Sequence, residues 1–493
     1  MPIAGVLAEA SINRTLALHM FHLALLMVLF SWCLVVLVQA ERLGQDAGCD
    51  LLGLIQSRKA SDVRELARKK PKLYVYDLPS HFQNGGRLEK KYGPAENWTM
   101  EQVFRGPPQD ADGFPVWGSE NHDMAVQVHY RFLSSPQRTL DVDEADVFLI
   151  PAYEMHVKTD KYCAKRSDLV DTLVSLNPKL KDKHWVKEKG PRHLLVNARV
   201  EVCDYMLDLE QPLRSAVRTG VGPEINGTLE NGFFWTHGQP WDWYLLPFPS
   251  MFHGPVTPAE HRPRGIARWL WTFFGQADHG RAQPLRKQLI EHCKKDSKCN
   301  SRDETELLFY KHSVATVAKH KLHSTFCAEP PGYTINRKSI LDSIIAGCIP
   351  ILFAHHELDL YGLLVTPEEW ALATLFIPEA KLVAKPDWSH FATDPFFNGT
   401  TGEQLKKLHP EHASLFDALH PKNSEDQRNA SVEALFPKLS SISSLLQAIS
   451  EEEVKKKQKA LAKIAHRFVI GVDDSRDDAV NILLRHISTR TPS

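Results

Sequence analysis

Beyond about residue 70, short apolar runs of strand length alternate with stretches of helical period, the pattern of an α/β chain. The first run, KLYVYDLP from Lys72, alternates as a short strand and stops at a Leu-Pro turn. Phe82 to Gly118 is rich in Gly, Pro and polar residues and lacks a period, which predicts an irregular insertion. His122 to Leu133 then places Met124, Val128 and Phe132 on one helical face, and DEADVFLIP from Asp143 to Pro151 supplies a buried strand. A helix from Asp168 to Leu176, a strand at HLLVNAR, a helix from Val202 to Glu210 and a core strand from Phe233 to Trp235 follow. Tyr244 to Pro263 is Pro-rich, as a linker between domains is. The alternation resumes with a strand in Ile266 to Gly275 and helices at Gln283 to Cys293 and Lys311 to His323. Near the end, Glu451 to Phe468 runs from acidic to basic along its own helix dipole, with its charges read as a solvated face. A last helix spans Asp477 to His486 and is expected to cross back onto the first block. Two α/β blocks joined by a linker predict two Rossmann-like domains facing a cleft.

The clearest unit is STFCAEPPGYTINRKSILDSIIAGCIPILF, Ser324 to Phe353. Pro330, Pro331 and Gly332 break a strand, Thr334 or Asn336 can cap a helix, and Ile340, Ile344 and Ile345 share one helical face. Gly347 suits the helix C-terminus, and Pro350 stops the helix before a second strand. In such a βαβ unit the helix N-terminus opens where strands end, and its amides favour an anion such as a phosphate. Arg337 and Lys338 sit there, and Asp342 can accept hydrogen bonds from a ribose. An ordinary surface Arg-Lys pair on a structural helix is the plain alternative.

Residues 16–40, LALHMFHLALLMVLFSWCLVVLVQA, are long and apolar enough to span a bilayer. Their length favours an uncleaved anchor over a signal peptide, and Arg14 before the run puts the N-terminus in the cytosol. Four sequons, at Asn97, Asn226, Asn398 and Asn429, are compatible with a lumenal position for the rest. A formal net charge of −1 and the lack of a dense basic tract argue against nucleic acid as a partner. The 24 histidines include no HExxH and no Cys-Cys-His-His spacing, and the neighbouring His355 and His356 lack further ligands, so no metal site is expected. Of eight cysteines, Cys33 lies in the anchor; Cys293 and Cys299 are the best candidates for a bridge, and Cys163 with Cys203 is a weaker pair. Cys327 and Cys348, in apolar surroundings, are expected as buried thiols.

The segment from Phe326 to Phe353, FCAEPPGYTINRKSILDSIIAGCIPILF, resembles the exostosin-like glycosyltransferases, family 47, closest to the plant xyloglucan galactosyltransferase-like clade. The YVYDLP opening, the Ala145, Phe148, Pro151 and Tyr153 set and GFFWTHGQPWDW from Gly232 to Trp243 resemble the same family; Tyr333, Asn336 and Lys338 depart from it. The resemblance implies a GT-B-like architecture, an inverting transfer from a UDP-sugar to a lumenal glycan or glycoprotein, and a single-pass type II protein of the Golgi membrane. It implies a cytosolic tail (1–15), a transmembrane signal anchor (16–40), a stem (41–70), an N-terminal Rossmann-like acceptor domain (71–255), a C-terminal Rossmann-like nucleotide-sugar domain (256–445) and C-terminal helices (446–493). The donor-binding candidates are Gly332, Thr334, Arg337, Lys338, Ser339 and Asp342. His237 and Asp242 are the catalytic candidates, although a non-catalytic His237 stays open, and Trp241 and Trp243 offer an acceptor platform. No DxD tripeptide falls in a suitable loop, since Asp141-Val-Asp143 precedes a buried strand and Asp110-Ala-Asp112 lies in the insertion; no cofactor beyond the donor substrate is expected. A non-catalytic subunit of a transferase complex, or a lectin-like membrane glycan binder, are the competing classes, and homo- or hetero-oligomers stay open.

Overall fold

The structure is a computed structural model that describes residues 70–83, 87–119, 123–152, 169–178, 192–197, 217–220, 243–254, 257–261, 267–275, 282–303, 314–331, 337–354, 363–383, 406–418, 427, 431 and 439–488. The expected anchor and stem, the Val202 to Glu210 helix, the Phe233 to Trp235 strand and the Cys163 and Cys203 pair lie outside these residues. The chain enters through β1 (Leu73–Val75) and then forms a hairpin of β2 (Gln109–Ala111) and β3 (Phe114–Val116). Helix α1 (Met124–Ser134), β4 (Val147–Ile150), α2 (Leu169–Leu176), β5 (His193–Asn197), β6 (Val217–Gly220) and β7 (Trp243–Leu245) follow. Strands β1, β4, β5, β6 and β7 pair in that order, all parallel, as one five-stranded sheet. Met124, Val128 and Phe132 of α1 are each 0 % exposed, so the face read from their spacing is the buried one.

The hairpin corrects the irregular insertion. Asp112 and Gly113 both take positive φ, 54° and 89°, the conformation that a tight two-residue turn between twisted strands requires. The Asp-Gly signal was present in the sequence, but only three residues flank it on each side, too few for a period.

A second parallel sheet uses β8 (Trp269–Gly275), β9 (Cys299–Asp303), β10 (Ser324–Glu329), β11 (Ile349–Leu352) and β12 (Leu375–Phe376). Helices α3 (Gln283–Lys294), α4 (Val314–Leu322), α5 (Lys338–Ala346) and α6 (Pro367–Ala373) connect them, and α7 (Ile442–Gln447), α8 (Glu451–Ile464) and α9 (Ala479–Ser488) close the chain. Every residue of β11 is buried, and four of the six in β10 form an unbroken buried run, as in strands covered on both faces. The order β12-β11-β10-β8-β9 reverses direction between β8 and β10. In open parallel sheets, ligands bind outside the carboxyl ends of the strands at such a reversal.

One apolar cluster includes Leu73, Val147 and Leu194 of the first sheet together with Trp271, Phe326 and Ile351 of the second. The Pro-rich linker runs through buried ground, with Ser250 and His253 each 0 % exposed. His253 Nε2 meets Ser119 Oγ, and Nδ1 donates to the Ile470 carbonyl at 2.8 Å, so one ring ties the linker, the first block and the C-terminal stretch. Burial lowers the His253 pKa to about 3, so the ring that makes these bonds is neutral. Helix α9 packs on β4, as expected of the last helix. The solvated face read for α8 fails at Lys457, which is buried and donates to the Thr374 carbonyl at 2.6 Å, just past the end of α6.

Arg131, 2 % exposed at its side chain, pairs with Asp474 at 2.9 Å and Asp478 at 3.4 Å. Burial pushes the Asp478 carboxyl from 3.8 to about 6, outweighing Arg131 and the amides of Asn481 and Gly471. Between these two values the folded chain binds more protons than the unfolded one, so this group's contribution to stability falls as pH rises through that window. Buried neutral histidines such as His253 give the opposite slope, so the contribution is read as a difference: the stability of the parent relative to Asp478→Asn is expected to fall in thermal unfolding from about pH 4 to about pH 6. An unchanged slope in the variant contradicts the assignment.

Candidate active site

Helix α5 begins at the carboxyl end of β10, beside the reversal in strand order. Its inner face holds Ile340, Ile344 and Ile345 at 0 % exposure, and Gly347 closes it at φ 74°, a left-handed position that glycine takes without strain. Arg337 is the N-cap residue, with extended φ −126° and ψ 136°, and its own side chain makes no cap bond. The first-turn amides and their share of the helix dipole point toward the strand ends without a side-chain partner among the described residues.

The charged groups at this helix head are largely buried. Lys338 pairs with Asp342 at 2.9 Å, their side chains 10 % and 5 % exposed. Burial lowers the Lys338 pKa, and Asp342 offsets part of that shift. Below them Lys321 Nζ meets Glu329 Oε1 at 2.8 Å, with both side chains 2 % exposed. Lys321 also donates to Ser343 Oγ at 2.6 Å and to Ser339 Oγ and the Ser339 carbonyl at 3.0 Å. The Ser339 and Ser343 hydroxyls in turn donate to Glu329 Oε1, at 3.1 and 2.6 Å. Burial acts to raise the Glu329 carboxyl, but Lys321 and Arg337 prevail and hold it below its ordinary value. Arg337 Nη1 donates to the Pro330 carbonyl and stands 3.8 Å from Glu329 Oε2. Across the reversal, Arg286 of α3 donates to the Pro331 carbonyl at 3.0 and 3.2 Å. Two guanidinium groups thus clamp successive carbonyls of the Pro-Pro step. Gly275, at the end of β8, leaves room for one of them: a Cβ there would lie 2.9 Å from Arg286 Nη1.

Lys321, Arg337 and Lys338 together carry one positive charge more than Glu329 and Asp342. That surplus lies under a helix N-terminus with no side-chain cap among the described residues, in ground where charges are weakly screened. An anion with several oxygens, a diphosphate in particular, is the ligand such a place stabilises.

The structure brings Arg337, Lys338, Ser339 and Asp342 together, but not all in the expected roles. Ser339 turns inward to Lys321 and Glu329. Asp342, expected to meet a ribose, is 3 % exposed; its Oδ1 accepts from Ser250 Oγ at 2.7 Å, Met251 N at 2.8 Å and Lys338. It holds the linker onto α5, and a ribose contact requires that it give up one of these partners. Gly332 and Thr334, the catalytic candidates His237 and Asp242, and Trp241 lie outside the described residues. Trp243 is described, as the first residue of β7.

Lys321, Glu329, Arg286 and Ser250 were not legible as site residues in the sequence; the one local signal was an acid, Glu329, ending an apolar strand. Cys327 and Cys348, expected as thiols, form a disulfide instead: β10 and β11 are parallel neighbours, and their register brings the two Cα atoms to 5.7 Å. The Cys293–Cys299 bridge is present as expected.

The Exostosin GT47 domain matches residues 67–388. The chain is 27% identical over 331 residues to a probable xyloglucan galactosyltransferase, GT17, of Arabidopsis thaliana, covering 62% of this chain and 70% of that one. The xyloglucan galactosyltransferase MUR3 of the same plant is 28% identical over 334 residues, covering 62% of this chain and 52% of its own length. A xyloglucan-specific galacturonosyltransferase from Arabidopsis thaliana is 27% identical over 321 residues, 58% of this chain and 45% of that protein. A solved structure of the pneumococcal O-GlcNAc transferase GtfA with UDP and GlcNAc matches 59% of each chain with a TM-score of 0.22 and 10% identity, too distant to carry an argument. With the domain match spanning more than half of the sequence, this chain belongs to the Exostosin GT47 domain family and is a glycosyltransferase.

Proposed function

We propose that this glycosyltransferase moves a hexosyl or pentosyl group from a UDP-sugar to a glycan or glycoprotein, inverting the anomeric centre in a GT-B-like cleft. The observation that carries this reading is the surplus of cationic charge under the head of α5, at the strand reversal. In an in-line displacement a base removes the acceptor hydroxyl proton while the nucleoside diphosphate leaves. Charge grows on that leaving group, and Arg337, Lys338 and the first amides of α5 are placed to stabilise it. His237 and Asp242 remain the proposed catalytic residues, with His237 the candidate base, and Trp241 and Trp243 the proposed acceptor platform. Because the relatives are named for galactosyl and galacturonosyl transfer to xyloglucan, UDP-galactose and UDP-galacturonic acid with xyloglucan oligosaccharides are the first pairs to test.

The proposed setting is the lumen of the Golgi, with residues 16–40 as an uncleaved type II anchor. The two disulfides support an oxidising compartment. Recovery of Glu41 as the mature N-terminus contradicts the anchor.

The test is a panel of UDP-sugars with the purified full-length protein, with released UDP and elongated acceptor followed by mass spectrometry. One donor is expected to be turned over in preference to the rest, and chelation of divalent ions is expected to leave turnover intact. Glycan binding without release of UDP from any donor contradicts the enzymatic reading of this site, and loss of activity on chelation contradicts metal independence.

A further inference from the structure

Glu329 is divided in its bonding. Its Oε1 accepts from Lys321, Ser339 and Ser343, which saturates it. Its Oε2 is buried and has no hydrogen-bond partner among the described residues, and Arg337 Nη1 is 3.8 Å away. Such an orphaned carboxylate oxygen is costly in the interior unless a cation compensates it. Saturation of Oε1 fixes the carboxylate, because Lys321 is itself locked by the hydroxyls of α5. The other oxygen is therefore aimed at the guanidinium from a rigid base at the end of the central strand.

We infer that Glu329 is a positioning residue for Arg337: Oε2 and the Pro330 carbonyl restrain one edge of the guanidinium. The remaining donors of the fork are then held for the donor diphosphate, without the rotamer search that a loose arginine makes on binding. Lys321 serves this arrangement by neutralising Glu329 and orienting it. The inference rests on the proposed diphosphate site and assigns it a supporting group. It also explains why an acid stands beside a site for an anion: its charge is matched by Lys321, so it orients the arginine without reducing the net positive charge.

The test is UDP affinity measured by calorimetry in a cycle that keeps net charge constant. Lys321→Met with Glu329→Gln removes the pair together, so neither partner is left buried and charged. The paired variant is expected to bind UDP at least about fivefold more weakly than the parent. In the Arg337→Ala background the same pair of substitutions is expected to change affinity by less than about twofold, because its effect passes through the arginine. Glu329→Asp, which keeps the charge pair but shortens the carboxylate's reach, is expected to show the same dependence on Arg337 and serves if the paired variant does not fold. Parent-like affinity in the foldable variant overturns the inference, as does an equal loss with and without Arg337. No UDP binding by the parent overturns the diphosphate reading itself, and this inference with it.

Discussion

Arg337→Ala is expected to lower sugar transfer by at least about a hundredfold while leaving the chain folded. A charge-assisted contact to phosphate contributes roughly 1.5–3 kcal/mol, and a hundredfold is about 2.7 kcal/mol of transition-state stabilisation. Because charge on the diphosphate grows as the sugar bond breaks, the loss in turnover should exceed the loss in UDP affinity. The fold should survive, since Glu329 keeps Lys321 and both serine hydroxyls and the Cys327–Cys348 bridge still joins the flanking strands. Steady-state kinetics beside near-UV circular dichroism checks both parts. Parent-like transfer by the folded variant reduces Arg337 to a structural N-cap residue.

Asp342→Ala carries the second large effect, and it falls on stability. The substitution strands the Lys338 ammonium, whose side chain is 10 % exposed, and removes the acceptor of Ser250 Oγ and the Met251 amide. Breaking a buried pair by deleting one partner costs roughly 3–5 kcal/mol, which lowers the thermal midpoint on the order of 5–10 °C in a domain of this size. Asp342→Asn, which keeps an acceptor for the linker, should recover part of that loss. A residue serving only a ribose predicts the opposite pattern, with an unchanged midpoint and weakened UDP binding. Differential scanning fluorimetry on both variants separates the two.

The contrast between these residues shows what the sequence made legible. Arg337 was found because the βαβ unit announces itself: a Pro-Pro-Gly break, a three-isoleucine face and a glycine C-cap are local signals. The strands and helices that carry it follow the same rule, since period and punctuation are properties of adjacent residues. The role of Asp342 was not legible, because its partners Ser250 and Met251 lie about ninety residues away and only the packed linker brings them near. Glu329 with Lys321, Arg286 with the Pro-Pro carbonyls, and Cys327 with Cys348 are of the same kind. Each depends on which strands become neighbours and in what register, which the reversal between β8 and β10 decides. Lys457 shows the converse, a charge in a charged helix that is buried because the end of α6 lies over it.

Hydrogen exchange read by mass spectrometry, with and without UDP, tests the central claim most directly. The first amides of α5, at Lys338 and Ser339, have no side-chain cap among the described residues and are expected to exchange more slowly once a diphosphate accepts their hydrogen bonds. Protection should also appear at Arg337 and diminish in Arg337→Ala. UDP that binds with a measurable Kd, protects another segment and leaves residues 337–340 unchanged contradicts the assignment of this helix head as the diphosphate site.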